Sequence, residues 1–371
     1  MRFKGIDLLC HAKTNHALRP WNSLSFLQWH VHGRDSQLAI MARYAAAAEL
    51  PRDLLSFLDQ NNLRIVVVNH CFQMKVAEAI CKYLEGKQKP RPVVVLETHD
   101  VQATLYSSGE IKNVFRNRPD DRRVLTRDEL KLASGAEMMT HVTADDMQYF
   151  ADRSRTKHQL VLATIDPQNE QQLLQLSSNS EDDARPIDFL YVGNNNPGNV
   201  ISIRWFLDQV VPRLDKPYSI KIVGTISAHI KATDRKLFDR FETYFVGEVT
   251  DIVSCYRDSA VVVLPTKFGT GTSIKTIEAL AAGRPIVATT GALRGLPSPT
   301  ASSVAHVADG SAEFASAMVE TYRRRQEEFG DRSRQLYLEL FSNDRYFERW
   351  DSALAGVGLT AGARCSACCA D

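Results

Sequence analysis

Residues 261–290, VVVLPTKFGTGTSIKTIEALAAGRPIVATT, constrain the fold of this chain more than any other segment. A fully apolar, β-branched run that stops at Pro265 reads as a strand of a parallel sheet, covered on both faces. The loop Phe268-Gly269-Thr270-Gly271 delivers the chain into a helix expected over 272–282. Thr272 or Ser273 can cap its start, and Gly283 ends it before the next strand at 285–289. The two glycines of that loop let backbone N–H groups approach an anion, and the helix dipole favours phosphate there. Lys275 adds a full positive charge one turn inside. Glu278 stands about 9 Å along the axis from Thr272 at about 1.5 Å per residue. This is the reach from a diphosphate to the ribose of the same nucleotide, where a carboxylate accepts both hydroxyl protons. The spacing also fits a plain i,i+3 ion pair between Lys275 and Glu278 with ordinary turn glycines, so it leaves both readings open.

The same alternation extends upstream. Strands are expected at 187–192, 219–223, 245–247 and 260–264, with helices at 200–211 and 251–258 between them, which makes an open parallel α/β sheet. In the first third, strands at 64–70 and 92–97 flank a helix at 72–85, one βαβ unit. Further helices are expected at 36–49, 127–133 and 144–151, and a strand at 137–142. Residues 106–123 read as a mobile polar loop, and 168–186, polar and poor in aromatics, as an interdomain hinge. A chain of 371 residues is expected to hold two cores. The expected division is a first α/β domain over 1–167 and a second over 187–340. The last helical stretch spans 312–350, a closing helix at 341–357 packs back on the first domain, and 358–371 is a disordered tail. Ligands of such sheets bind at the carboxyl ends of the strands.

Composition removes several classes. A formal charge of +1 without a basic stripe gives no reason to expect nucleic acid. No apolar run is long enough to span a bilayer, and the first twenty residues lack the apolar core of a secretory signal, so a soluble cytoplasmic enzyme is expected. Cys10, Cys71, Cys81 and Cys255 fall in apolar segments as free thiols, while Cys365, Cys368 and Cys369 form a tail without a second ligand pair. His30 and His32 in Trp29-His30-Val31-His32 have no third ligand at a fitting spacing. No metal and no resident cofactor are expected.

Residues 187–297 also resemble a known family. Tyr191-Val192-Gly193 with Pro197, Asn199 and Trp205-Phe206, then Ile222-Val223-Gly224, then Gly247-Glu248-Val249 with Asp251, Tyr256 and Ala260, follow the order of the retaining nucleotide-sugar glycosyltransferases of the glycosyl transferases group 1 type. Pro265, Gly269, Gly271, Lys275, Glu278, Gly283, Pro285, Gly291, Gly295 and Leu296 continue the match. The resemblance implies the GT-B fold, two Rossmann-like domains with parallel sheets facing an interdomain cleft. It implies transfer of a sugar from a nucleotide-sugar to a saccharide or lipid-linked acceptor hydroxyl, with retention and without a metal, including peripheral contact with the inner membrane face.

Carried over residue by residue, the resemblance assigns Glu278 to the donor ribose. It assigns Lys275 and the amides of Gly271, Thr272 and Ser273 to the diphosphate, with Gly193, Gly224, Gly269 and Thr270 in the same site. Val249, with its neighbours before Tyr256, goes to the base. In the first domain, His99 of Leu96-Glu97-Thr98-His99-Asp100-Val101 resembles the family's histidine loop facing the donor sugar, and His70 ends the preceding strand. The chain departs from the pattern at Thr270, where the family often has an acid, and at Asn194-Asn195-Asn196, where many members carry Arg and Lys. The family's first strand with its Gly-rich loop is not recognisable near Met1, which leaves a reduced first domain or a different start as expectations. A nucleotide-sugar epimerase or hydrolase on the same fold and a non-catalytic nucleotide-sugar-binding partner stay open as rival functions.

Overall fold

Short β-branched runs separated by amphipathic helices give two parallel sheets in the computed structural model, which describes residues 2–3, 6–7, 36–47, 49–109, 119–176, 186–297, 301–324 and 327–359. The His30/His32 pair, Cys10 and the tail cysteines lie outside these residues. The chain divides into two units, Met1–Val161 with Glu348–Asp371, and Leu162–Phe347.

In the first unit β1 (Arg2–Phe3) and β2 (Ile6–Asp7) pair antiparallel. The main sheet is β3 (Ile65–Asn69), β4 (Val93–Glu97), β5 (Met138–His141) and β6 (Lys157–Leu160), all parallel in that order. Val94, Val95 and Leu96 are buried, which is why β4 carries no polar residue before Glu97. The end of the chain adds to this core. Ala353, in the helix Asn343–Gly356, packs with Val95 and Met138, and Lys157 Nζ donates to the Gly356 carbonyl at 2.6 Å.

The second unit orders its six strands β12-β11-β10-β7-β8-β9, again all parallel. These are β7 (Ile187–Val192), β8 (Ile220–Val223), β9 (Phe245–Gly247), β10 (Ser259–Leu264), β11 (Ile286–Ala288) and β12 (His306–Val307). Every residue of β10 is buried, as its sequence requires of a central strand. The order reverses between β10 and β7, the place where an open sheet parts its loops and admits a ligand.

Several expectations change. The stretch expected as a hinge begins with the helix Pro167–Leu174, capped by Asp166 and anchored by buried Leu173. Its Glu170 accepts from Tyr337 Oη and the Asn343 amide, each at 2.8 Å, and from Asn343 Nδ2 at 2.7 Å. A polar composition concealed a segment fixed by polar bonds. The loop expected over 106–123 is helical at both ends, Gln102–Ser107 and Arg122–Ala133, and 110–118 lie outside the described residues. The last helical stretch is three helices, Ser311–Arg324, Glu327–Leu340 and Asn343–Gly356. A helix at Arg52–Gln60 and strand β6 were not expected.

One glycine fixes how β7 and β8 end. Gly224 has φ +113, its amide donates to the Gly247 carbonyl at 2.7 Å, and a Cβ there would stand 2.3 Å from the Gly193 carbonyl oxygen. Gly224→Ala is therefore expected to destabilise this unit by about 2 kcal/mol, lowering its melting temperature by about 5 °C. Unchanged thermal unfolding would show that the two strand ends separate freely.

Candidate active site

The segments that follow the carboxyl ends of β7, β8, β9 and β10 carry the residues singled out in the second unit. After β10 the loop passes Pro265 and reaches Gly269 (φ +151) and Gly271 (φ +64), then enters the helix Ile274–Ala282. Ser273 is the N-cap residue, and its side chain makes no capping bond. Its hydroxyl is buried and has no hydrogen-bond partner among the described residues. The expected serine cap is therefore not formed, which leaves that hydroxyl available to an oxyanion at the helix start.

Lys275 and Glu278 turn to different partners rather than to each other. Lys275 Nζ donates to Asn199 Oδ1, lies 3.5 Å from Tyr191 Oη, and stands 4.9 Å from the centre of the Tyr191 ring. Asn199 is held in turn by the asparagine triplet. Its Nδ2 donates to Asn194 Oδ1 at 2.8 Å, its amide to Asn196 Oδ1 at 2.8 Å, and Asn196 caps the helix Pro197–Trp205. The triplet thus builds the turn that aims Lys275. Burial lowers the Lys275 pKa to about 7, helped by the positive charge of Arg294 and opposed by Glu278.

Glu278 Oε2 accepts from Tyr256 Oη at 2.8 Å. Burial raises the Glu278 pKa, while the Tyr256 hydroxyl and Lys275 pull it down. Tyr256, which the resemblance counts among the nucleotide-binding residues, is fully buried with its hydroxyl turned to Glu278. Arg284 Nε fixes that tyrosine from behind by donating to its carbonyl at 2.9 Å. Val249, which follows β9, is half-buried.

The glycine loop is braced by a residue that spacing did not single out. Arg294 Nη2 donates to the Thr270 carbonyl at 3.1 Å and Nη1 to the Gly291 carbonyl at 2.6 Å. A Cβ on Gly269 would stand 2.8 Å from Arg294 Nη2. Gly269, one of the two glycines expected to expose backbone to an anion, thus also leaves room for this guanidinium. The available signal was an arginine between Gly291 and Gly295.

In the first unit His99 follows β4 with φ +58, its Nε2 3.5 Å from Glu97 Oε2, and its ring centre 4.8 Å from that of His70. His70 follows β3 with φ +66 and stacks on Phe72 at 5.3 Å. Left-handed backbone at two non-glycine strand ends is strain of the kind that collects at functional positions. Burial raises the Glu97 pKa, and His99 opposes that rise. Glu129, fully buried, accepts from the Gln102 amide at 2.7 Å and fixes the turn that follows His99; burial pushes its pKa up to about 8.

A family model described as "Glycosyl transferases group 1" matches residues 186–324, which include Asn199, Tyr256, Lys275, Glu278 and Arg294. The second unit carries a glycosyl transferases group 1 domain. Around this domain the described residues have the GT-B fold, which solved structures share at low sequence identity. Sucrose-phosphate synthase from Thermosynechococcus elongatus superposes with TM-score 0.60 at 14% identity, over 84% of this chain and 81% of that one. HepE from Anabaena, in complex with UDP, gives TM-score 0.60 at 13% identity over 87% and 85%. A glycosyltransferase from Rickettsia africae gives 0.56 at 12% over 86% and 81%. Curated protein sequences give no significant match. No helix among the described residues is long and apolar enough to cross a membrane.

Proposed function

We propose that this chain moves a sugar from a nucleotide-sugar to a hydroxyl of a saccharide or lipid-linked saccharide, with retention and without a metal. One observation carries the reading: Lys275 and Glu278 project from one helix of the transferase domain, both largely buried, each fixed by a partner from another element. UDP and UDP-glucose in the HepE structures support a nucleoside diphosphate donor.

Cleaving the sugar–phosphate bond leaves negative charge on the diphosphate and positive charge on the anomeric carbon. The Gly271–Ser273 backbone, the Ser273 hydroxyl and Lys275 supply fixed donors to the departing diphosphate, which is electrostatic catalysis. Glu278 takes the ribose hydroxyls and Val249 lies toward the base. By resemblance, His99 is assigned to the donor sugar. The acceptor hydroxyl attacks from the side the diphosphate leaves, its proton passing to the departing phosphate, so no protein nucleophile is needed.

Thermal shift with UDP, GDP, ADP and their sugar derivatives tests the donor, because a ligand held by the folded state raises its melting point. One nucleotide is expected to stabilise the protein and its sugar form to be turned over equally well in EDTA. No stabilisation by any nucleotide would refute the site, and strict dependence on added Mn or Mg would refute the metal-free mechanism.

A further inference from the structure

Strand pairing in the first unit sets a polar row across its sheet. Asn69, Glu97, Thr140 and Gln159 are register partners on β3, β4, β5 and β6, so their side chains leave one face of the sheet side by side. Two residues earlier on the same face, Val95 and Met138 pack with Ala353 of the helix Asn343–Gly356. The face therefore turns from apolar to polar at the carboxyl ends of the strands, where open α/β sheets bind ligands. No side chain of the row makes a hydrogen bond among the described residues. The Glu97 side chain is only 13% exposed, and its one charged neighbour is His99, whose Nε2 lies 3.5 Å from Oε2. Two atoms here are both buried and unbonded, Thr140 Oγ1 within the row and His99 Nε2 beside it. A row kept for the fold alone would satisfy them, because a buried polar atom without a partner costs stability.

The geometry points to a binding row for an uncharged sugar ring, formed in the first unit by Asn69, Glu97 and Gln159 with Thr140 beneath them. A carboxylate and two carboxamides together offer donors and acceptors, and a sugar hydroxyl, itself both, can use them in pairs. The row contains no lysine or arginine, so it offers no ion pair to a phosphate or a uronate. Adjacent strands stand about 4.8 Å apart, which puts about 14 Å between Asn69 and Gln159, more than one ring needs. Thr140 is a positioning residue, whose hydroxyl bonds the Glu97 carboxylate as it turns to a bound ring. This rests on the sugar-transfer reading. The ring belongs to the saccharide that receives the sugar or to the sugar of the donor, and the chemistry that recognises it is the same.

Saturation-transfer NMR on the full chain is the test, with the methyl glycosides of glucose, galactose, mannose and N-acetylglucosamine set against methyl glucuronide. At least one neutral glycoside is expected to bind and the glucuronide not. Glu97→Ala should weaken that glycoside about tenfold, and Glu97→Gln, which keeps an acceptor, should recover part of the loss. Thr140→Val should weaken it about threefold yet unfold no earlier than the wild type, since it removes a buried hydroxyl that has no partner. Calorimetry with UDP-glucose, GDP-mannose and ADP-glucose, each beside its nucleoside diphosphate, separates the two sources. If the donor's sugar fills the row, Glu97→Ala weakens the nucleotide-sugar and leaves the nucleoside diphosphate unchanged. If the receiving saccharide fills it, both keep their affinity and the glycoside still binds beside them. Absence of neutral-glycoside binding in the wild type, full binding in Glu97→Ala, equal binding of the glucuronide, or early unfolding of Thr140→Val overturns the proposal. A wild-type protein that binds no nucleoside diphosphate refutes the sugar-transfer reading itself, whatever the glycosides do.

Discussion

Replacing Lys275 with alanine is expected to lower kcat/KM for the nucleotide-sugar about a hundredfold, about 2.7 kcal/mol of transition-state stabilisation. Charge builds on the diphosphate as the sugar leaves, and an ammonium held by Asn199 needs no reorientation to meet it. Its environment adds a second, independent signature. Tyr191, Asn199, Glu278 and Arg294 face this amine, and burial with the Arg294 charge brings its pKa down to about 7. The diphosphate binds the ammonium form and raises its pKa again. Donor affinity is therefore flat below pH about 7 and falls about tenfold per pH unit above it, because each complex must then take up a proton. Nucleotide-sugars suit the titration, since their diphosphate diester does not itself titrate near neutrality. Lys275→Ala should flatten the profile, and Arg294→Gln should move its break to higher pH. An affinity constant up to pH 9 in the wild-type protein would show that Lys275 stays charged without the donor.

The sequence made the second unit readable because its physics is local. The valine run of β10, the glycine loop and the helix that follows are contiguous, and periods of two and 3.6 residues mark them. The helical ends of 106–123 and the helix that opens 168–186 were missed because composition was read without period. Leu173 alone marks the buried face of a helix whose remaining anchors are hydrogen bonds to Tyr337 and Asn343. Within the site, sequence located Lys275 and Glu278 but not what fixes them. Asn199 lies 76 positions before Lys275 and Tyr256 lies 22 before Glu278, distances that spacing along one helix cannot register. Gly269 shows the same limit, since a glycine that exposes backbone and one that makes room for an arginine look alike until Arg294 is in place.

Glu278→Ala is expected to raise KM for the donor about thirtyfold with a smaller change in kcat, because the ribose is remote from the bond that breaks and contributes uniformly to ground and transition states. A general loss of packing around the helix Ile274–Ala282 could mimic that number, so the decisive measurement changes the ligand as well. A carboxylate that accepts both ribose hydroxyls makes the wild-type protein discriminate against a 2′-deoxyribose donor. Removing the carboxylate should remove most of that discrimination, and a double cycle of protein and ligand changes isolates the shared term. Tyr256→Phe should fall between the two, since the carboxylate remains but loses the hydroxyl that aims it and holds its pKa down. A deoxyribose penalty equally large in wild-type and Glu278→Ala protein would place the ribose elsewhere and leave Glu278 as a buried partner of Tyr256 alone.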